Sequence, residues 1–206
     1  MAITDNLTEQ EQVRRASLEE IRKLGIDPYP AALYPVNNTT EEIHRRFNAD
    51  QQEIHDVCIA GRIMSRRIMG NASFGEIMDS TGRVQIYVKR DDVCPGEDKT
   101  LYNTLFKKLL DIGDIIGVKG FVFKTQMGET TIHVKEFTLL SKSIRPLPIV
   151  KEKDGVVYDA VTDPEMRYRQ RYVDLIINPQ VRETFRKRTQ IIKSMRELFD
   201  SYGYLE

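Results

Sequence analysis

Residues 57–89, VCIAGRIMSRRIMGNASFGEIMDSTGRVQIYVK, switch the chain from a helical period to a period of two. Val57, Ile59, Gly61 and Ile63 alternate with other residues and form one face of a half-buried strand. Ser73 to Asp79 make a second short strand, and Ser80-Thr81-Gly82 a turn. Val84, Ile86 and Val88 then alternate with Gln85, Tyr87 and Lys89 in a third strand. KTLYNTLFKKLL (99–110) reads as a helix with Leu101, Leu105, Phe106, Leu109 and Leu110 apolar. Past Gly113-Asp114, Ile115 to Lys124 is a fourth strand, Gln126-Met127-Gly128-Glu129 a hairpin turn, and Thr131 to Leu140 a fifth strand. Three strands, a helix and two more strands within about 85 residues is the element order of a five-stranded OB-fold β-barrel. The helix between the third and fourth strands favours this reading over other small barrels.

Upstream, Thr8 and Glu11 form a T-x-x-E capping box. Val13, Ser17, Ile21 and Leu24 share one helical face, with Arg14, Arg15, Arg22 and Lys23 opposite. Gly25 caps this helix, and Pro28 and Pro30 stop it. IDPYPAALYPVNN (26–38) is extended and proline-rich, and a second T-x-x-E box at Thr39–Glu42 starts a helix packed through Ile43 and Phe47. Downstream, 143–165 reads as a connector with Pro146, Pro148 and the polar KEKDG stretch. Asn178-Pro179 opens a helix whose Val181, Phe185, Arg188, Ile192, Met195 and Phe199 step at four and three, ending at Gly203. The expected division is a helical arm at 1–56, the barrel at 57–142, a linker at 143–165 and the start of a further domain at 166–206. The overall class is α+β. The stripe of the last helix is expected to lack a covering partner within this chain.

Composition narrows the function classes. Lys+Arg and Asp+Glu number 31 each in 206 residues, so a basic footprint for nucleic acid must be local. Cys58 and Cys94 are far apart and not in CxxC spacing, which argues against a disulfide framework or a structural zinc and fits a reducing, cytosolic setting. The polar start, MAITDNLTEQEQ, has no apolar signal region, and no apolar run reaches the roughly 18 residues of a membrane span. There is no GxGxxG, GxxxxGK[ST], HExxH, GxSxG or Cys/His cluster, so no catalytic residue and no metal ligand set is assigned. His44, His55 and His133 read as surface or satisfied histidines, and Asp91-Asp92 as a solvated loop.

The informative residues lie on the barrel. GRIMSRRIMG (61–70) gathers Arg62, Arg66 and Arg67 without an acidic residue; as a loop it would pin phosphates, and as a strand end it would simply be solvated. Phe74 shares its strand face with Glu76, which suits an exposed aromatic on which an unpaired base stacks; packing inside the barrel is the other reading. If Val84, Ile86 and Val88 face inward, Gln85 faces out beside the Phe74 strand, and its amide can read a base edge. Glu129, at the hairpin tip, can accept a base imino or amino proton.

The same residues carry a family pattern. GRIMSRRIMGNASF, the D-x-x-G-R-V-Q-I-Y-V run, FKKLLDIGDIIGVKGFVFKT, GETTIHVKEFTLLSKSIRPLP and RYRQRYVDLI together resemble the anticodon-binding part of class II lysyl-tRNA synthetases. The resemblance covers essentially the whole sequence. It implies an OB domain joined to a catalytic domain on an antiparallel sheet, in a cytoplasmic homodimeric ligase of protein biosynthesis. It implies that Phe74 stacks on the central anticodon base, that Gln85 and Glu129 recognise uridines of the tRNA(Lys) anticodon, and that Arg66-Arg67 contribute an anticodon contact. Asn71 departs from the pattern, where relatives usually have lysine. FRKRTQIIKSMRELFDSYGYLE resembles the start of motif 1 at the class II dimer interface. Motifs 2 and 3 are not present, so the expected chain is an N-terminal fragment that is not catalytic alone. ATP, Mg²⁺ and lysine activation are implied for a longer enzyme only. Two other readings stay open: a truncated synthetase paralogue acting as an interaction protein, and a sequence-tolerant single-strand nucleic-acid binder.

Overall fold

The structure is a computed structural model that describes residues 7–50, 54–148, 151–153, 156–158 and 164–205. It divides into two compact units, 1–146 and 147–206. The start at 1–6, and Asp154-Gly155 of the KEKDG stretch, lie outside the described residues.

The first unit begins with α1 (Glu9–Lys23) and α2 (Thr40–Asp50). Both capping boxes form. The Thr8 Oγ1 accepts from the Glu11 N–H while Glu11 accepts from the Thr8 N–H, and Thr39 and Glu42 repeat the exchange. Gly25, at φ 75°, ends α1 with its N–H on the Arg22 carbonyl and the Ile26 N–H on the Ile21 carbonyl. That pair of bonds is a Schellman cap, and only a residue without Cβ takes this φ cheaply.

The inward face of α1 differs from the expected one. Val13 is 59% exposed, whereas Arg14 is buried together with Ile21. Arg14 donates to the carbonyls of Ile112 at 2.9 Å and Ser143 at 3.1 Å, in the turns that flank the barrel strands. Those buried carbonyls need a donor, so a guanidinium outcompetes the valine for the inner face.

Five strands close into a barrel in the order β1-β2-β3-β5-β4. They are β1 (Val57–Met69), β2 (Ala72–Met78), β3 (Arg83–Lys89), β4 (Ile115–Lys124) and β5 (Thr130–Ser141). All pairings are antiparallel except β3–β5, which is parallel and closes the barrel together with β1–β4. Ile59, Ile63, Ile77, Val84, Ile86, Val88, Val118, Val122, Ile132 and Val134 fill the interior. Ile21, Ile43 and Phe47 join the same cluster, so the N-terminal helices share one core with the barrel. A helical turn, α3 (Arg90–Val93), and a π-helix (Leu101–Leu109) plug the gap between β3 and β4 with Tyr102, Leu105 and Phe106. The Leu110 N–H reaches the Leu105 carbonyl, the i→i+5 bond that widens the helix.

Three local devices hold the surroundings of the barrel. Tyr34, from the extended proline-rich segment, lays its ring where a Cβ on Gly117 would be, 2.3 Å from the Tyr34 Cζ. Asp79 caps α2 and the β2–β3 turn at once, accepting from Thr40, Thr81 and Gly82. Burial pushes its carboxyl upward, yet the bonds from Thr40, Thr81 and Gly82 together hold it below the ordinary carboxylate value. Asp114 and Lys142 form a fully buried ion pair at 2.9 Å, and Asp114 also accepts from the N–H groups of Asp111 and Ser143. Burial pushes the Asp114 carboxyl up against the pull of Lys142.

In the second unit, the stretch expected as a plain connector contains a hairpin of β6 (Lys151–Lys153) and β7 (Val156–Tyr158). The RYRQRYVDLI segment is two short helices, α4 (Pro164–Arg169) and α5 (Arg171–Ile177), broken at Gln170. Asp174 is fully buried on α5 and held by Arg167, Arg171 and Asn178. α6 (Pro179–Ser201) has Pro179 at its first position, as expected, but the Asn178 amide is engaged with Asp174 and makes no side-chain cap. No residue of α6 is buried. Phe185, Ile192, Met195 and Phe199 stand partly exposed along it, as the stripe anticipates. Gly203, at φ 79°, ends α6 with a second Schellman cap, and Phe199 touches Tyr204 across it at 5.8 Å.

Candidate nucleic-acid interface

The pairing registers assemble two parallel rows of side chains across the barrel. In one row Arg67 pairs with Phe74, Phe74 with Tyr87, Tyr87 with His133, and His133 with Phe121. In the next row Ser65 pairs with Glu76, Glu76 with Gln85, Gln85 with Thr131, and Thr131 with Phe123. Strand period places both rows on the same, outward face. The first row is aromatic and cationic, the second largely polar.

The aromatic row is a continuous chain of contacts. The Phe74 ring lies 5.0 Å from Tyr87, Tyr87 lies 5.1 Å from His133 edge-on, and His133 stacks on Phe121 at 4.7 Å. Phe123 closes against Tyr87 at 6.1 Å. Arg67 is exposed and sets its guanidinium 5.7 Å from the Phe74 ring centre, within cation–π range. His133 is oriented by Asp92, its Nε2 donating to Oδ2 at 2.6 Å, and Lys135 sits 3.6 Å from the same carboxylate. Partial burial pushes the Asp92 carboxyl up, but the His133 bond and the Lys135 charge outweigh it and hold the carboxyl below its ordinary value.

In the polar row Gln85 is held at both ends of its amide. Its Nε2 donates to Glu129 Oε2 at 2.6 Å, and its Oε1 accepts from Thr131 Oγ1 at 2.7 Å. Glu129 is steadied in turn: its N–H donates to Thr125 Oγ1, within the turn made by Gly128 at φ 85°. One N–H and one lone-pair direction of the Gln85 amide, and one Glu129 oxygen, remain for a ligand.

Two grooves flank this ridge. One, of about 650 Å³, is lined by His44, Arg66, Glu76 and Arg83, among others. The second, of about 480 Å³, is lined by Tyr87, Phe123, Met127 and His133, among others. Arg67, Phe74, Gln85 and Glu129 border both.

The structure therefore brings all five sequence-named residues around the first groove, with Arg66 also bonded away from it. GRIMSRRIM is not a loop: β1 runs through it to Met69, with a bulge between Ile63 and Ser65. Arg66 turns back to donate to the Phe106 carbonyl, and Arg62 donates to the Gly113 carbonyl at 2.7 Å. Burial pulls the Arg66 guanidinium below its ordinary value. The Asn71 carboxamide accepts from Arg90 at 2.9 Å. Asp91 and Asp92 are not a free loop; they sit in α3, with Asp91 paired to Arg90 and Lys99. Sequence reading missed Thr131, Phe121, Phe123 and His133. It also missed Tyr87, although the alternation that exposes Gln85 puts Tyr87 on the same face. Among the described residues no group of three or more His, Cys, Asp or Glu is placed to hold a metal ion. No described helix is long and apolar enough to cross a membrane.

Comparison with known proteins matches this architecture in both units. Residues 57–140 match the OB-fold nucleic acid binding domain of the tRNA anticodon-binding family, and 163–206 match tRNA synthetases class II (D, K and N). Both matched stretches are thus similar to parts of class II tRNA synthetases, the first to their anticodon-binding OB domain and the second to their synthetase domain. Within that class the chain is similar to lysine–tRNA ligases. It is 63% identical over 201 residues to the enzyme named lysine–tRNA ligase from Porphyromonas gingivalis. It is 58% identical over 200 residues to that of Azobacteroides pseudotrichonymphae and 56% identical over 201 residues to that of Christiangramia forsetii. Each match takes in 97% of this chain, yet the chain spans only 35–40% of the relatives' length.

Proposed function

We propose that this chain reads the anticodon of the lysine tRNA for a lysine–tRNA ligase. The observation that carries the reading is the two-row face. An aromatic row headed by Arg67 and Phe74 runs beside the Gln85–Glu129 pair, and the four residues border two grooves. An unpaired base has a π-face and a hydrogen-bonding edge, and this surface offers a partner for each. Phe74 stacks on a base, Gln85 and Glu129 engage the edges of uridines, and Arg67 pairs with the RNA backbone. Arg66, tied to the Phe106 carbonyl, acts mainly by holding β1 beneath Arg67.

In the whole ligase this recognition serves activation of lysine with ATP and Mg²⁺ and its transfer to tRNA. The enzyme acts in the cytoplasm as a homodimer, and the uncovered stripe of α6 supports that assembly.

The test is binding of the chain to an anticodon stem-loop with uridine at the central position, and to the same loop with that uridine changed, across a salt series. Selective binding lost with the uridine supports anticodon reading. Equal binding to both, with a steep salt slope, marks a sequence-tolerant single-strand binder instead.

A further inference from the structure

Aromatic side chains stack on any base, so a long aromatic track with cations along it binds single strands without reading them. The aromatic row has that character. From Phe74 on β2 through Tyr87 and His133 to Phe121 on β4 it crosses three interstrand steps, roughly 14 Å, more than a single base covers. A cation stands over the ring at each end. Arg67 is 5.7 Å from the centre of Phe74, and Lys135 is 5.7 Å from the centre of Phe121. Base reading belongs to the Phe74 end, where Gln85 and Glu129 lie in the next row. Phe121 is two strands removed from Gln85, so a base stacked there is not read by that amide.

We propose that Asp92 is a specificity-determining residue that closes the Phe121 end of the row to RNA phosphates and so keeps the strand on the Phe74 end; this rests on the anticodon reading above. His133 and Lys135 both meet this carboxylate. The His133 Nε2 donates to Oδ2 at 2.6 Å, and the Lys135 Nζ is 3.6 Å from the same oxygen. Partial burial works against the ionised carboxyl, but His133, Lys135 and Lys89 together outweigh it.

The carboxylate is also held in place. It stands on α3, a helical turn whose next two residues, Val93 and Cys94, are buried in the barrel core. On β5, Lys135 falls between the Val134–Gly120 and Glu136–Lys119 pairs, at a bulge that turns it outward over Phe121. A phosphate that reached Lys135 would stand beside the Asp92 charge, and like charges at that separation repel. Asp92 touches no base. It acts by holding the cation and the ring donor that an unread strand would use.

Asp92→Asn keeps the shape of the side chain and an oxygen acceptor for His133, and removes the charge. The wild-type chain and the variants are titrated across a salt series with three probes: oligoadenylate, the stem-loop with a central uridine, and the loop with that uridine changed. In Asp92→Asn, oligoadenylate binds several-fold more tightly and its salt slope steepens by about 0.7, the share of one added phosphate contact on a single strand. The affinity ratio between the two loops falls. In the double variant Asp92→Asn with Lys135→Ala both gains disappear. Lys135→Ala alone leaves the oligoadenylate slope as in the wild type, because Asp92 already holds that charge; this arm decides the matter even where a thermal melt shows Asp92→Asn unfolded. An unchanged slope in folded Asp92→Asn overturns the inference. So does a gain that survives in the double variant, or a slope made shallower by about 0.7 in Lys135→Ala alone. A wild-type chain that treats the two loops alike removes the anticodon reading and the specificity role with it, while the oligoadenylate arm still reports whether Asp92 masks the cation.

Discussion

Phe74→Ala removes the ring on which the proposed stacking depends. That ring is half-exposed, touches Tyr87 at 5.0 Å and lies under the Arg67 guanidinium at 5.7 Å. Truncation therefore has two separable costs. In the free chain it removes one tilted aromatic pair and one cation–π contact at the surface, together about 1–2 kcal/mol, which lowers the melting temperature by a few degrees. In the complex it also removes base stacking worth roughly 1–3 kcal/mol, a weakening of about 5- to 150-fold in Kd. The assay is titration of a fluorescently labelled anticodon stem-loop at fixed salt, with a thermal melt of each chain alongside. Phe74→Tyr retains a π-face and binds nearly as the wild type does, while Phe74→Leu is weakened like the alanine variant. A folded Phe74→Ala chain with unchanged affinity refutes the reasoning: the ring would then serve only to pack against Tyr87.

The two neighbouring arginines separate cleanly. Arg67→Ala weakens binding to every loop sequence alike and reduces the salt slope by about 1, read from affinity against log salt. Arg66→Ala instead leaves the Phe106 carbonyl short of its donor and costs about 1–3 kcal/mol of stability in a denaturant melt; the opposite assignment of the two effects would reverse their roles. Gly120→Ala places a Cβ 1.9 Å from the His133 carbonyl oxygen, which is backbone and cannot step aside, so at least 1–3 kcal/mol of stability is lost; an unperturbed melt would contradict this. The Asp79 carboxyl is depressed below its ordinary value of 3.8, so its contribution is present above that pH and lost as pH falls through the depressed value. The stability gap between the wild type and Asp79→Asn is accordingly open at neutral pH and narrows as acid protonates the carboxyl; a gap of the same size at every pH would show that the charge is not what matters.

Much of the architecture is legible in the sequence because it is local. Both capping boxes, the glycine caps, the bounds of β4 and the alternation in β3 depend on neighbours within a few residues. What escaped reading depends on distant partners. Arg14 looks like a surface charge until the carbonyls of Ile112 and Ser143, about a hundred residues on, are brought beneath it. Arg66 looks like a free cation until Phe106 arrives. The bulge opposite Lys119 and Gly120 falls on β5, where the inward side chains pass from Ile132 and Val134 to Phe137 and Leu139, while β4 keeps its alternation with Val118 and Val122 inward and Phe121 and Phe123 on the other face. Thr131 is a bland strand residue until the β3–β5 pairing puts Gln85 opposite it. The stacking and base-reading candidates were legible because their outward direction follows from parity, while their support was not.

The closing β3–β5 pairing bears on how such a chain is made. Gln85 and Thr131 are 46 residues apart, and each of the two rows takes one residue from every strand of the barrel. Loop closure over such a span comes late, because many dihedrals are ordered before that contact repays them. A nascent chain paused before β5 thus holds Phe74 and Gln85 but not a weaker version of the surface; it has none. The proposed base-reading surface should therefore be completed in a single step as β5 emerges.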